Sequence, residues 1–91
     1  MRYVVGARHV KDYQIHVRFD DGTEKIVDLQ GELEGEVFEP LKDVEFFKKV
    51  RVDPDSDTIV WENGADFAPD FLFAIGSPVA LAPGGPLSKE G

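Results

Sequence analysis

Residues 13–29 read Tyr13-Gln14-Ile15-His16-Val17-Arg18-Phe19-Asp20-Asp21-Gly22-Thr23-Glu24-Lys25-Ile26-Val27-Asp28-Leu29 and carry the clearest β-hairpin pattern in the chain. Apolar and polar side chains alternate over residues 13–19, as in a half-buried strand. A three-residue loop over residues 20–22, with Gly22 left-handed, pairs Arg18 with Glu24 and collects the apolar residues of both strands on one face. A two-residue loop would place Arg18 opposite Lys25, so the sequence predicts the three-residue loop.

Other strands extend outward from this hairpin. A stretch rich in β-formers at residues 3–10 predicts a strand before it, and residues 50–53 and 58–61 predict two strands after it. The dipeptide Asn63-Gly64 is typical of a two-residue type I′ turn, from which residues 65–67 run back. The sequence therefore predicts an antiparallel sheet of about five or six strands joined as hairpins.

Two short helices complete the expected fold. Asp43 is a favourable N-cap for the first helix. Pro69 suits the first position of the second, and Gly76 suits its C-terminal cap. With the strands, these helices predict a small α+β fold.

The chain divides by composition into one α+β domain over residues 1–76 and a tail over residues 77–91. At 91 residues it has room for a single small domain. The tail contains three prolines and three glycines without an apolar period, so we expect it to be flexible or draped on the surface. A homodimer would add buried area to so small a core.

The charge balance limits the classes of partner. The chain has 18 acidic and 10 basic residues, a net charge of −8. Nucleic acids and anionic membrane surfaces attract lysine and arginine, so we expect neither to be a direct partner of this chain. A small basic protein is the partner that this charge favours.

Cysteine is absent, which excludes disulfides, thiolate metal sites and a cysteine nucleophile. A secreted domain of this size usually needs disulfides. Residues 1–6 lack the apolar run of a signal peptide, and no stretch has membrane-spanning length. We therefore expect a cytoplasmic protein.

The acidic segment, residues 30–39, is the first candidate site. Two glycines and four glutamates predict an irregular loop anchored to the core by Phe38 and Leu41. Its glutamates would either bind a basic partner or remain solvated, and they are Glu32, Glu34, Glu36 and Glu39.

Residues 53–57 carry a weak calcium-loop pattern, in which Asp53, Asp55 and Asp57 alternate. An EF-hand loop starting at Asp53 needs glycine at its sixth position and glutamate at its twelfth, where the chain has Thr58 and Gly64. A turn between two strands is the interpretation we favour. The sequence predicts no bound metal and no cofactor.

Catalytic patterns are equally weak. Asp66 and Asp70 could be an acid–base pair in a cleft, but structural roles are favoured. Asp66 can cap the second helix or accept backbone N–H bonds, and Asp70 suits the first turn of that helix. His9 and His16 lack a clear third metal ligand. Trp61 is either a core residue or an interface anchor, and we favour the core.

A longer pattern follows at residues 61–72, which read Trp61-Glu62-Asn63-Gly64-Ala65-Asp66-Phe67-Ala68-Pro69-Asp70-Phe71-Leu72. Together with residues 19–22 and 37–43, it resembles a family of small bacterial proteins called domain of unknown function 2442. The resemblance spans residues 3–73. Its motif residues are Trp61, Asn63, Gly64, Asp66, Pro69, Asp70 and Leu72.

The resemblance implies a small α+β fold with an antiparallel sheet and short helices, and no established catalytic activity. Some relatives carry a helix-turn-helix domain after this one, and others are encoded beside a second small protein in a toxin–antitoxin-like arrangement. The proline- and glycine-rich tail of this chain cannot form two packed helices, so it departs from the fused relatives.

Three functional hypotheses remain. The first is a non-catalytic protein-interaction or regulatory module, antitoxin-like in its relation to a second small protein. The alternative is a small enzyme or ligand-binding domain that uses Asp66, Asp70 and His16 in a cleft. The third is a DNA-linked regulator that acts through another, basic chain.

Overall fold

The computed structural model describes residues 2–79 and has an α+β architecture, as the sequence predicts. Two short 3-10 turns, Gln30–Glu32 and Glu39–Lys42, lie between the third strand and the first helix. The elements are β1 (Val4–Lys11), β2 (Gln14–Phe19), β3 (Glu24–Asp28), α1 (Val44–Phe47), β4 (Arg51–Asp53), β5 (Thr58–Val60), α2 (Pro69–Ile75) and β6 (Ser77–Pro78). Within residues 2–79, six strands form two antiparallel sheets, β1-β2-β3-β6 and β4-β5.

The β2–β3 hairpin has the predicted register. Arg18 pairs with Glu24 and Ile15 pairs with Val27. Gly22 has φ +90° and donates its backbone N–H to the Phe19 carbonyl at 2.9 Å. The backbone N–H of Thr23, and then its hydroxyl, hold the pKa of the Asp21 carboxyl in this loop below its ordinary value.

The turn at Asn63-Gly64 differs from the prediction. Trp61 donates to the Ala65 carbonyl at 2.9 Å, and Gly64 donates to the Trp61 carbonyl at 3.0 Å, so the loop has three residues. A type I′ turn requires positive φ at both Asn63 and Gly64. Gly64 has φ +91°, but Asn63 does not have positive φ. The type I′ prediction is therefore wrong: this loop repeats the hydrogen-bond pattern of the β2–β3 loop. The segment that follows makes one isolated bridge, Val60 to Asp66, rather than a strand.

Alanine substitutions should separate backbone strain from packing at this loop. A Cβ at Gly64 or at Gly31 would meet no atom within 4 Å, but only Gly64 has positive φ. We expect Gly64→Ala to lower the free energy of unfolding by about 1–2 kcal/mol, because the left-handed backbone disfavours a Cβ. Gly31→Ala should be neutral or slightly stabilising in the same urea titration. Equal effects of the two would contradict this conformational explanation.

The core lies between the four-stranded sheet and the segments that cross it. It contains Ile15, Val17, Phe19 and Val27 from the hairpin, and Phe47, Ile59, Trp61 and Leu72 from later elements. Trp61 is 1% exposed, which confirms its prediction as a core residue, and its Nε1–H donates to the Phe47 carbonyl at 2.7 Å. The hydrogen bond satisfies the indole N–H that burial would otherwise leave without a partner.

The two helices begin as the sequence predicts. The Asp43 carboxylate caps α1 by accepting the Glu45 backbone N–H at 3.0 Å. Pro69 occupies the first turn of α2, and Gly76 is its C-cap, donating to the Leu72 carbonyl. A Cβ on Gly76 would lie 2.9 Å from Cβ of Lys25, so glycine allows α2 and β3 to approach closely here.

Regular structure continues past residue 76, where the sequence predicted none. Ser77 pairs with Ile26 and Pro78 pairs with Lys25, and these two residues form β6 at the edge of the sheet. An edge is where a proline strand is tolerated, because its missing N–H faces away from the partner strand. Residues 80–91 of the predicted tail lie outside the described residues, so the division into domain and tail stays a prediction.

Candidate functional site

The acidic segment is more ordered than an irregular loop. Residues Gln30–Glu32 form a 3-10 turn, and the buried side chain of Leu33 follows. Leu41 is buried and Phe38 is half-buried, which confirms both predicted anchors. The predicted partner-binding carboxylates, Glu32, Glu34, Glu36 and Glu39, are all exposed.

Most of the predicted motif residues have a role in holding the fold. Trp61 and Leu72 are buried, Gly64 has positive φ, and Pro69 begins α2. The Asn63 amide makes two contacts: Oδ1 accepts the Ala65 N–H at 3.2 Å, and Nδ2 donates to the Val37 carbonyl at 2.8 Å.

The two motif aspartates have different surroundings from those predicted. The N-cap of α2 is Ala68, which has no side-chain capping hydrogen bond, so Asp66 does not take the capping role that was one of its two structural options. The Asp66 side chain is exposed. Asp70 lies in the first turn of α2, as predicted, and its exposed carboxylate is 3.7 Å from the Arg2 guanidinium. A negative charge in this first turn interacts favourably with the helix dipole.

Tertiary structure places the acidic segment beside residues 61–72. The Asn63 amide joins them through the Val37 carbonyl. The Phe38 ring lies 4.9 Å from the Phe67 ring, and Phe67 stacks on Phe71 at 5.8 Å with an interplanar angle of 13°. We call the surface formed by Val37, Phe38, Phe67, Phe71, Ala74 and Ile75 the apolar strip.

Comparison with known proteins identifies the family. The family model described as "Protein of unknown function (DUF2442)" matches residues 4–76. The chain belongs to this family. No curated protein and no solved structure matches it.

The two segments that carry most of the apolar strip of this DUF2442 domain are acidic in sequence. Residues 32–39 and 61–72 contain seven acidic and no basic side chains. Among these, Glu39 accepts a hydrogen bond from Lys42 Nζ at 2.9 Å, and that contact raises the pKa of the Lys42 ammonium above its ordinary value. Asp70 lies 3.7 Å from the Arg2 guanidinium, whereas Glu36 and Asp66, each next to a strip residue in sequence, are exposed.

Two basic side chains contact α2 in this DUF2442 domain: Lys25 of β3, and Arg2, which precedes β1. Lys25 Nζ donates to the Phe73 carbonyl at 2.7 Å and lies 3.7 Å from the centre of the Phe73 ring. The Arg2 guanidinium carbon is 3.6 Å from the same ring centre. These cation–π contacts stabilise a helix whose Leu72 is buried in the core, while Phe71 and Ile75 remain exposed.

The other candidate sites make structural contacts. His16 Nε2 lies 2.9 Å from the Glu24 carboxylate, and His9 Nε2 lies 2.8 Å from the Asp12 carbonyl. The Asp53 carboxylate accepts the Asp55 backbone N–H at 3.0 Å, as in the favoured turn. Within residues 2–79 no group of three or more potential ligands is placed to hold a metal ion.

The described part of this DUF2442 domain also lacks a cleft. Residues 2–79 enclose no cavity, and Asp66 and Asp70 both lie on the exposed surface. None of the helices in these residues has the length and apolar character needed to cross a membrane. An exposed surface with apolar and acidic side chains has the composition of a surface that can bind another macromolecule.

Proposed function

We propose that this chain is a non-catalytic protein-interaction module that binds a basic protein partner. The observation that carries this proposal is the placement of the acidic segment beside residues 61–72. Two segments separated in sequence contain seven carboxylates and no basic side chain, and they also carry exposed apolar residues. Two of the carboxylates, Glu39 and Asp70, are paired with Lys42 and Arg2 from outside these segments. Such charge favours basic partners and increases their association rate.

Relatives encoded beside a second small protein support a finer form of the proposal. In that form this chain is the antitoxin-like or regulatory member of a pair, and it acts in the cytoplasm. The alternative function, a ligand site at Asp66 and Asp70, requires a concave site. Residues 2–79 form no cavity, so the interaction surface is the better supported of the two.

A tagged pull-down from the native cell tests the proposal. We expect the wild-type chain to recover one small basic protein in stoichiometric amount, identified by mass spectrometry. Replacing Glu32, Glu34, Glu36 and Glu39 with lysine should reduce that recovery at least about tenfold, because attraction becomes repulsion. Recovery of the wild-type chain alone would overturn the proposal.

A matched charge change serves as the control for this experiment. The double variant Glu34→Lys, Glu36→Lys alters the net charge as much as Glu45→Lys, Asp55→Lys, and all four side chains are exposed. We expect partner recovery to fall only with the first pair. Equal losses would show a response to net charge rather than to the acidic segment.

A further inference from the structure

The helix α2 is apolar on its outward side as well as its buried side. Asp70 is the single charged residue of its sequence Pro69–Ile75. Phe71 is 36% exposed and Ile75 is 37% exposed, and Ala74 between them is also exposed. A helix that is apolar all round is normally buried, so this face lacks its covering in residues 2–79.

The exposed face continues beyond the helix along the apolar strip. Phe71 stacks on Phe67, which packs on Phe38, and the neighbouring Val37 is 43% exposed. Phe67 is itself buried and belongs to the core cluster, so the exposed rings rest on a fixed base. A surface fixed before binding loses little conformational entropy when a partner covers it.

The sheet edges argue against a partner that binds as an added strand. On edge strand β1 the register with β2 skips at Val5 and Val10, so the strand has two bulges. On the opposite edge, β6 has two residues, of which one is Pro78. Bulges, short strands and proline are devices that block pairing with a further strand. With the edges of the four-stranded sheet blocked in this way, docking of a helix through its side chains, which needs no free strand edge, is the mode that the apolar strip suits.

The charges near the apolar strip indicate which side chains a binding partner would carry. Glu36 and Asp66 each adjoin a strip residue in sequence and are exposed. The nearby basic side chains, Arg2 and Lys25, contact the Phe73 ring. We propose that the apolar strip binds an amphipathic helix of a partner protein, with its apolar residues on the strip and lysine or arginine beside the carboxylates. This inference rests on the proposed function and adds the form of the partner.

A designed peptide provides the direct test. The peptide is an amphipathic helix of leucine and lysine, of about 18 residues so that it can be helical. Titrated into the ¹⁵N-labelled chain, it should shift the amide signals of Phe38, Phe71 and Ile75. The same peptide with glutamate in place of lysine should not bind, and added salt should weaken binding of the lysine peptide.

Paired variants show whether binding uses the strip. The double variant Phe71→Ser, Ile75→Ser should raise the Kd of the lysine peptide at least about tenfold, as expected for loss of central anchors. The control is Val10→Ser. Val10 is an exposed apolar residue on β1, which is separated by β2 from β3, the strand whose Lys25 contacts α2. This variant should keep the Kd within about twofold of the wild-type value. The single variant Ile75→Lys provides the same test with a smaller perturbation of folding and should also weaken binding.

Three outcomes would overturn the inference. The first is that the lysine peptide does not bind the wild-type chain, and the second is that its Kd is unchanged in both strip variants. The third is a concentration-dependent dimer of the wild-type chain that Ile75→Lys converts to monomer, which would assign the strip to a second copy of this chain. The cell pull-down separates this failure from that of the proposed function. If the double strip variant recovers the natural partner as well as wild type does, the docking surface is wrong while the interaction function stands.

Discussion

Replacing Trp61 with alanine is expected to lower the free energy of unfolding by about 3–5 kcal/mol. The side chain is 1% exposed and packs between the Phe47 ring at 5.5 Å and the Phe67 ring at 6.0 Å. Its loss leaves a cavity and removes the hydrogen bond to the Phe47 carbonyl. Since domains of this size have about 5–15 kcal/mol of stability, the variant should be largely unfolded at moderate urea concentrations.

Urea titrations followed by far-UV circular dichroism measure this effect, because the chain has a single tryptophan and the variant loses its fluorescence. Trp61→Phe keeps much of the apolar volume but leaves the Phe47 carbonyl without its donor, and should cost about 1–3 kcal/mol. Glu62→Ala alters the exposed neighbouring residue and should change the free energy of unfolding by less than about 0.5 kcal/mol. A Trp61→Ala effect as small as that of Glu62→Ala would exclude the core role.

The hairpin was predictable because several local signals agreed. Side-chain alternation, the pairing of Arg18 with Glu24 and the left-handed preference of Gly22 all require the same loop length. A hairpin of this kind can be predicted from sequence because its strand alternation, cross-strand pairs and turn residue all act over a few residues. The observed pairing of Ile15 with Val27 follows from the same register.

The second turn shows where a local rule is insufficient. An Asn-Gly dipeptide suits both a two-residue type I′ turn and the end of a three-residue loop. The choice depends on which residue pairs with Trp61, and that residue is Ala65. The Asn63 amide also reaches Val37, a residue distant in sequence. Neither contact can be inferred from the dipeptide.

The apolar strip depends even more on tertiary structure. Phe38, Phe67 and Phe71 have no common period, and nothing in the sequence connects the acidic segment with the motif at residues 61–72. Only the chain path brings the Phe38 ring to 4.9 Å from Phe67. One signal was nevertheless present: residues 69–75 contain a single charged side chain, which is unusual for a short surface helix.

Two misses have the same physical origin. Leu33 lies among glutamates, and its burial comes from packing against the core rather than from a local pattern. Pairing of Ser77–Pro78 with β3 likewise depends on a strand far away in sequence. Long-range burial and strand pairing overrode local composition in both places.

Replacing Leu72 with alanine should have the second large effect, lowering the free energy of unfolding by about 2–5 kcal/mol. Leu72 is fully buried and attaches α2 to the core, and its carbonyl accepts the N–H of the capping Gly76. Loss of this anchor should loosen the helix that presents Phe71 and Ile75. Urea titration gives the stability, and hydrogen exchange at the Gly76 amide reports whether α2 opens locally.

Ile75→Ala is the matched control, because it removes an aliphatic side chain from the same helix at a position that is 37% exposed, whereas Leu72 is fully buried. Its effect should stay within about 0.5 kcal/mol, while it weakens binding of the leucine–lysine peptide. A side chain that contributes little to stability and much to binding belongs to an interface. Equal destabilisation by the two variants would contradict the exposure of Ile75, since that side chain would then be packed and this part of the strip would be covered.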